Sequence, residues 1–130
     1  MIRPFELQRD METLYQWMRH RGLPCPRIDD MPAIGVVAYV DGKEVAMAFL
    51  RRVEGGFAQL DGLVTDETAP GAHRHEAIEA AVQAIVSKAK ELGIKSLMAT
   101  SQHKNTVMRA CSLHGFTIEP TVVLSLNLSR

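Results

Sequence analysis

The densest run of chemically capable side chains in this 130-residue sequence is His73-Arg74-His75-Glu76, set where a long apolar-periodic segment begins. A helix N-terminus presents unpaired N–H groups and a partial positive charge, which together attract a phosphate. An arginine and two imidazoles there add side-chain donors, and the guanidinium fork matches phosphate geometry. The same residues also read as an ordinary polar helix start in which Glu76 favours the dipole and Arg74 is solvated. As metal ligands His73 and His75 are only two, with no nearby Cys or third His to complete a set, so no metal is expected. Cys25 and Cys111 lie far apart and form no Cys-x-x-Cys pair, which points to two reduced thiols rather than a disulfide or a zinc site. His20, His103 and His114 have no partner identifiable from the sequence and read as structural or solvated.

These side chains need a scaffold, and the sequence outlines one. Ile2 to Phe5 suits a short strand. Asp10 reads as the cap of a helix whose apolar residues Met11, Leu14, Tyr15 and Met18 recur at three- and four-residue spacing, with Gly22 ending it. Residues 23–33 carry three prolines and read mainly as loop. Ile34 to Val40 and Glu44 to Val53 form two strands joined at Asp41-Gly42, a dipeptide that readily takes the positive φ of a tight hairpin. Glu54-Gly55-Gly56 makes a second turn, and Phe57 to Thr65 follows as a third strand. Strict alternation there puts Leu60, Gly62 and Val64 on one face and Gln59, Asp61 and Leu63 on the other.

After the loop Thr68 to Ala72, residues Ile78, Ala81, Val82, Ile85, Ala89 and Leu92 trace one face of a long helix ending at Gly93. Lys95 to Thr100 then reads as a strand, Asn105 to His114 as a shorter helix stopped by Gly115, and Phe116 to Leu128 as mostly strand with a break at Pro120. Asn105 suits the N-cap of that last helix. The order β-α-(loop)-β-β-β-α-β-α-β, a meander feeding a strand-helix-strand crossover, predicts a mixed sheet with helices on both faces.

Composition narrows the function classes. With 46% hydrophobic residues the chain can build a core, and one domain over 1–130 is expected. Fifteen Lys+Arg balance fifteen Asp+Glu, so nothing favours nucleic acid or an anionic membrane in general. The longest apolar runs, such as Ile34 to Val40, fall far short of the roughly 20 residues that span a bilayer, and Met1-Ile2-Arg3-Pro4 does not open a secretory signal. A cytoplasmic location is the expectation.

Three stretches resemble motifs of the GNAT superfamily of acyl-CoA N-acyltransferases, over about the last three-quarters of the chain, and the element order is similar too. Leu60-Asp61-Gly62-Leu63-Val64 resembles the fourth GNAT strand, from whose splayed end the pantetheine arm of acetyl-CoA takes backbone hydrogen bonds. His73-Arg74-His75-Glu76-Ala77-Ile78 stands in the place of the pyrophosphate-binding stretch Gln/Arg-x-x-Gly-x-Gly/Ala, with Glu76 and Ile78 at the glycine positions. Asn105 to Arg109, with Cys111-Ser112-Leu113-His114-Gly115-Phe116, is similar to the family's Asn-containing helix closing on Gly-Phe. The resemblance implies a GNAT-like, mostly antiparallel mixed sheet with a splayed central parallel strand pair formed by residues 57–65 and 95–101.

It also implies roles. Leu63, Val64, His73, Arg74, His75, Glu76, Ala77, Ile78 and Asn105 would contact acetyl-CoA or another acyl-CoA, used as co-substrate. Transfer to an amine needs a base and often an acid for the departing thiolate. Asp61 stands where family members place a carboxylate, and Cys111 where they place a Tyr, with Ser112 as the other candidate acid. The amine acceptor would lie over residues 23–33, near Arg27, Asp29 and Asp30. Two readings follow: an acetyl-CoA-dependent N-acetyltransferase, or a catalytically silent GNAT-fold binding or structural protein like small stand-alone members in phage genomes. A homodimer is compatible with either.

Overall fold

Asp41 and Gly42 adopt φ of 53° and 76°, the backbone conformation that closes a tight hairpin without splaying its strands. The turn joins β2 (Ile34–Val40) to β3 (Lys43–Arg52), and a second turn leads to β4 (Phe57–Thr65). This computed structural model describes residues 1–101 and 103–128, which divide into two compact units, residues 1–100 and residues from 101 onward.

In the first unit, β1 (Ile2–Pro4), α1 (Leu7–His20) and a single 3-10 turn (Ile28–Asp30) precede the meander, and α2 (Gly71–Glu91) and β5 (Ser96–Met98) follow it. The strands lie in the order β1-β2-β3-β4-β5. All neighbours are antiparallel except β4 and β5, which are parallel, as a helical crossover requires. Helices cover both faces, which is why β3 is buried without alternation from Val45 to Leu50. On one face α1 packs Met11, Leu14 and Trp17 against Val37, Met47, Phe49 and Val64. On the other, Ala77, Ala81, Ile85 and Ala89 of α2 lie on Ala46, Ala48, Leu50 and Ala58. Small residues on both sides of that interface let the helix approach the sheet closely.

The first unit departs from the sequence reading at Asp10. Glu6, not Asp10, is the N-cap residue of α1. Asp10 lies one turn inside and buried, where its carboxylate accepts the Glu6 N–H at 2.8 Å and both terminal nitrogens of Arg3 at 2.6 Å. It serves the cap from within the helix, as a capping-box carboxylate does. Arg3 also donates to the Tyr39 hydroxyl and lies 3.6 Å from Glu44, so one ion pair ties α1 to three strands. Burial acts against the charged Asp10, but the hydrogen bonds from Arg3 and Glu6 outweigh it and hold the carboxyl below the usual range.

The second unit contains α3 (Lys104–His114), which Gly115 terminates in the left-handed conformation, φ 77°. His103 is the N-cap residue, so Asn105 is inside the helix rather than capping it. The expected strand over Phe116 to Leu128 is not formed: those residues are irregular, and Leu124 is 91% exposed. Alternating apolar residues mark a chain fit for a sheet, but a strand exists only through a neighbour's N–H and C=O groups. Among its described residues the unit holds no second strand to supply them.

Candidate functional site

Strand β4 is irregular at the place where chemistry is expected. Against β3, Phe49 pairs with Asp61 and Met47 with Val64, so Ala48 faces both Gly62 and Leu63. That two-to-one count is a β-bulge. It overturns the alternation expected from sequence: Leu60 and Leu63 both pack on the α2 side, and Val64 on the α1 side. The cause is Gly62, whose φ of 63° suits an unbranched backbone, and at which a methyl would sit 2.8 Å from Phe49 Cδ2. The opposite edge of the same ring faces Gly35, where a methyl would lie 2.5 Å from Cδ1.

On its other side β4 runs out of partner. The parallel ladder with β5 covers only Phe57–Gln59 against Ser96–Met98. β4 continues to Thr65 with no further rung to β5, so the pair is splayed as expected from the resemblance. The strand edge from Leu60 to Thr65 faces that opening, with the bulge in its middle.

Asp61 lies at the bulge, half exposed. Its Oδ2 accepts Arg51 Nε at 2.9 Å and its Oδ1 accepts the Gly62 N–H at 2.9 Å. Arg51 also donates through Nη2 to the carbonyl of Asp30 at 3.0 Å, holding the 23–33 segment against the sheet. Sequence reasoning missed Arg51, although a signal was present. Arg51 pairs with Gln59, so Asp61 is its diagonal neighbour on the same face, and opposite charges flanking a turn at that spacing meet across a hairpin.

Beyond β4, Asp66 orders the connection by accepting the Thr68 N–H and hydroxyl at 2.9 and 2.7 Å. The helix then starts at Gly71, two residues earlier than the sequence suggested, after Pro70 and without a side-chain cap. Arg74 N–H is the first to bond within it, to the Pro70 carbonyl at 3.0 Å. The amides of Gly71, Ala72 and His73 therefore have no intrahelical partner. No acidic side chain occupies the first turn. His73 Nε2 lies 3.5 Å from Asp41, Arg74 Nη1 donates to the Glu67 carbonyl at 3.3 Å, and His75 and Glu76 are exposed. Ala77 is in the core and Ile78 is half-buried.

Asp61, Leu63, Val64 and residues 73–78 thus belong to the first unit, and Asn105, Cys111 and Ser112 to α3 of the second. Asn105 and Ser112 are exposed, Ser112 donates to the Arg109 carbonyl at 3.4 Å, and Cys111 is half-buried. Among the described residues no group of three or more His, Cys, Asp or Glu side chains could hold a metal ion, and no helix is long and apolar enough to cross a membrane.

No family model matches this chain, and no curated protein matches it. Solved structures do. The chain is similar to Rv2747 from Mycobacterium tuberculosis, solved in complex with CoA, at 19% identity and a TM-score of 0.73, over 96% of this chain and 76% of that one. It is similar to an acetyltransferase from Trypanosoma brucei at 15% identity and a TM-score of 0.68, over 97% and 99% of the two chains. It is also similar to a ribosomal-protein-alanine N-acetyltransferase from Brucella melitensis biovar Abortus, at 16% identity and a TM-score of 0.68, over 98% and 97%. The chain has the fold of the GNAT superfamily.

Proposed function

We propose that this chain transfers an acetyl group from acetyl-CoA, or an acyl group from another acyl-CoA, to a primary amine by direct attack in one ternary complex. The observation that carries the reading is the length of β4, from Leu60 to Val64, that has β3 on one side and no rung to β5 on the other, and that leads through the Asp66 turn to the unpaired amides of α2. An extended ligand with amide groups can add to such an edge as a strand would, and a phosphate can end at such a helix start. The residues fit the coenzyme there: Leu63 and Val64 offer backbone groups beside the bulge, and His73, Arg74 and His75 offer donors, for which a phosphate would compete with Asp41 at His73 and with the Glu67 carbonyl at Arg74. Glu76, Ala77 and Ile78 continue the stretch that the resemblance assigns to the pyrophosphate.

When bound, acetyl-CoA supplies a thioester carbon activated toward an amine. The chain's own residues manage protons. Asp61 takes, through a water, the proton that the amine must lose, while the resemblance alone assigns the acid's part to Cys111 or Ser112 and a coenzyme contact to Asn105. Holding the two reactants together contributes the rest. In this reading the acceptor lies beside the 23–33 segment, and the bonds of Arg51 to the Asp30 carbonyl and to Asp61 support it by tying that segment to β4. One observation favours the silent alternative, a GNAT-fold binding or structural module. Both Asp61 oxygens already accept hydrogen bonds, so a water must compete with Arg51 and Gly62 for their lone pairs.

Calorimetric titration with acetyl-CoA tests the reading. Wild type should bind, and Arg74→Ala should bind about 1.5–3 kcal/mol more weakly, the scale of a hydrogen bond to a charged group. Added salt should weaken wild-type binding, because exposed charges are screened over roughly 8–10 Å. Binding indifferent to Arg74 transfers the phosphate contact to the backbone amides. No binding of any acyl-CoA at millimolar concentration leaves the silent module.

A further inference from the structure

A cavity of about 250 Å³ opens between the 23–33 segment and the end of β3, lined by Pro32, Ala33, Ile34, Leu50, Arg51 and Arg52. Four of its lining residues are apolar, and the charged ones among the described residues are Arg51 and Arg52. Arg51 spends Nε on Asp61 and Nη2 on the Asp30 carbonyl. The Arg52 side chain makes no hydrogen bond or ion pair with any described residue. The larger cavity, about 430 Å³ between α1 and the β2–β3 turn, differs in being lined by the carboxylates of Glu44 and Asp66 as well as by Lys43. In the smaller one no carboxylate is among the described lining residues, and with Arg51 paired to Asp61 the positive charge left over is that of Arg52.

We infer that this cavity receives the carboxylate of the acceptor, so that the substrate is an amine that also carries an acid group on a small apolar body, as an apolar amino acid does. The inference rests on the acyl-transfer reading, because it assigns the cavity to the acceptor. A guanidinium fork matches a planar carboxylate with two parallel hydrogen bonds, and the apolar wall takes the aliphatic part out of water. Arg51 lines the cavity and also pairs with Asp61 at 2.9 Å, so an acceptor held at the end of β3 lies beside the ion pair that carries the proposed base. Arg52 is in this account a specificity-determining residue. It takes no proton in the reaction.

Two matched pairs of compounds test this. Leucine and 3-methylbutylamine differ by the carboxylate alone, and N-acetyl-leucine and its amide differ by its charge. Wild type should acetylate leucine in preference to 3-methylbutylamine. Arg52→Ala should raise KM for leucine ~10- to 100-fold with kcat little changed and the plain amine unaffected, as loss of uniform binding does. Arg52→Lys, which keeps the charge and loses the fork, should fall between. Titration of N-acetyl-leucine and N-acetyl-leucinamide, without coenzyme, should show binding of the acid alone, lost in Arg52→Ala. Equal kcat/KM for leucine and 3-methylbutylamine overturns the inference and leaves the transferase standing. Arg52-dependent binding of the acid without transfer to any amine overturns the transferase and, with it, the assignment to an acceptor. Equal binding of acid and amide removes the carboxylate site itself.

Discussion

Asp10 and Asp61 are alike in their bonds and opposite in their surroundings. Each accepts an arginine and one backbone N–H, but the Asp10 side chain is 1% exposed beside an Arg3 at 17%, whereas Asp61 is 44% exposed beside an Arg51 at 41%. Water cannot replace Arg3 at Asp10, so that pair is a fixed joint between β1 and α1. At Asp61 water reaches both partners, which is what the proposed proton transfer requires. The same two residue types therefore make a buried joint at one place and a solvent-accessible pair at the other, and burial is the difference between them.

The comparison would break most visibly in catalysis. Asp61→Asn should lower kcat/KM by roughly 10²–10⁴-fold with a proven amine substrate, the usual effect of losing a general base. A pH–rate profile and circular dichroism on the same variant separate lost chemistry from lost fold. An unchanged profile would move Asp61 from proton transfer to mere positioning.

The next effect belongs to Asp10. Asp10→Asn removes the nearer counter-charge of a largely buried guanidinium, leaving it Glu44 at 3.6 Å, and should cost about 3 kcal/mol of unfolding free energy by denaturant titration. The sign of its pH dependence follows from the lowered carboxyl. Its stabilisation is complete above the unfolded value of about 3.9 and is lost as pH falls through the folded one. Wild-type stability should thus decline steeply on acidification below about pH 4, and the variant should show less of that decline. Equal acid sensitivity in both would mean that other carboxylates carry the acid transition.

The smallest effect sharpens the contrast. Removing the exposed pair by Asp61→Asn should change stability by at most about 1 kcal/mol, measured in the same titration as Asp10→Asn. A loss as large as that at Asp10 would show that Arg51 and Asp61 are a joint and not a site.

What the sequence disclosed follows the same divide between local and partnered features. Asp41-Gly42 announced its hairpin because the turn is written in two adjacent residues, and β4 begins at Phe57 and ends at Thr65 as turn signals on each side required. The fold, with helices on both faces and a splayed parallel pair, was legible because element order and motif spacing survive where identity does not. Asp10 was misread as a cap because cap chemistry looks identical until Arg3 arrives from another strand. The bulge was invisible because alternation counts residues on one strand, and a bulge is a difference between two. Trp17 and Ala77 are core residues that helical spacing should have added, at three residues beyond Leu14 and four before Ala81.

Phe49 touches no proposed ligand, yet its ring is gripped edge to edge by Gly35 and Gly62 and met by Phe5 at 4.9 Å. A side chain at either glycine needs a smaller residue at 49, and a smaller residue at 49 leaves a void under the bulge. Positions 35, 49 and 62 are therefore inherited as one unit across β2, β3 and β4. In any set of descendants of this chain they should change together or not at all, so a lineage that abandons the phenylalanine will also have reshaped the strand that carries Asp61.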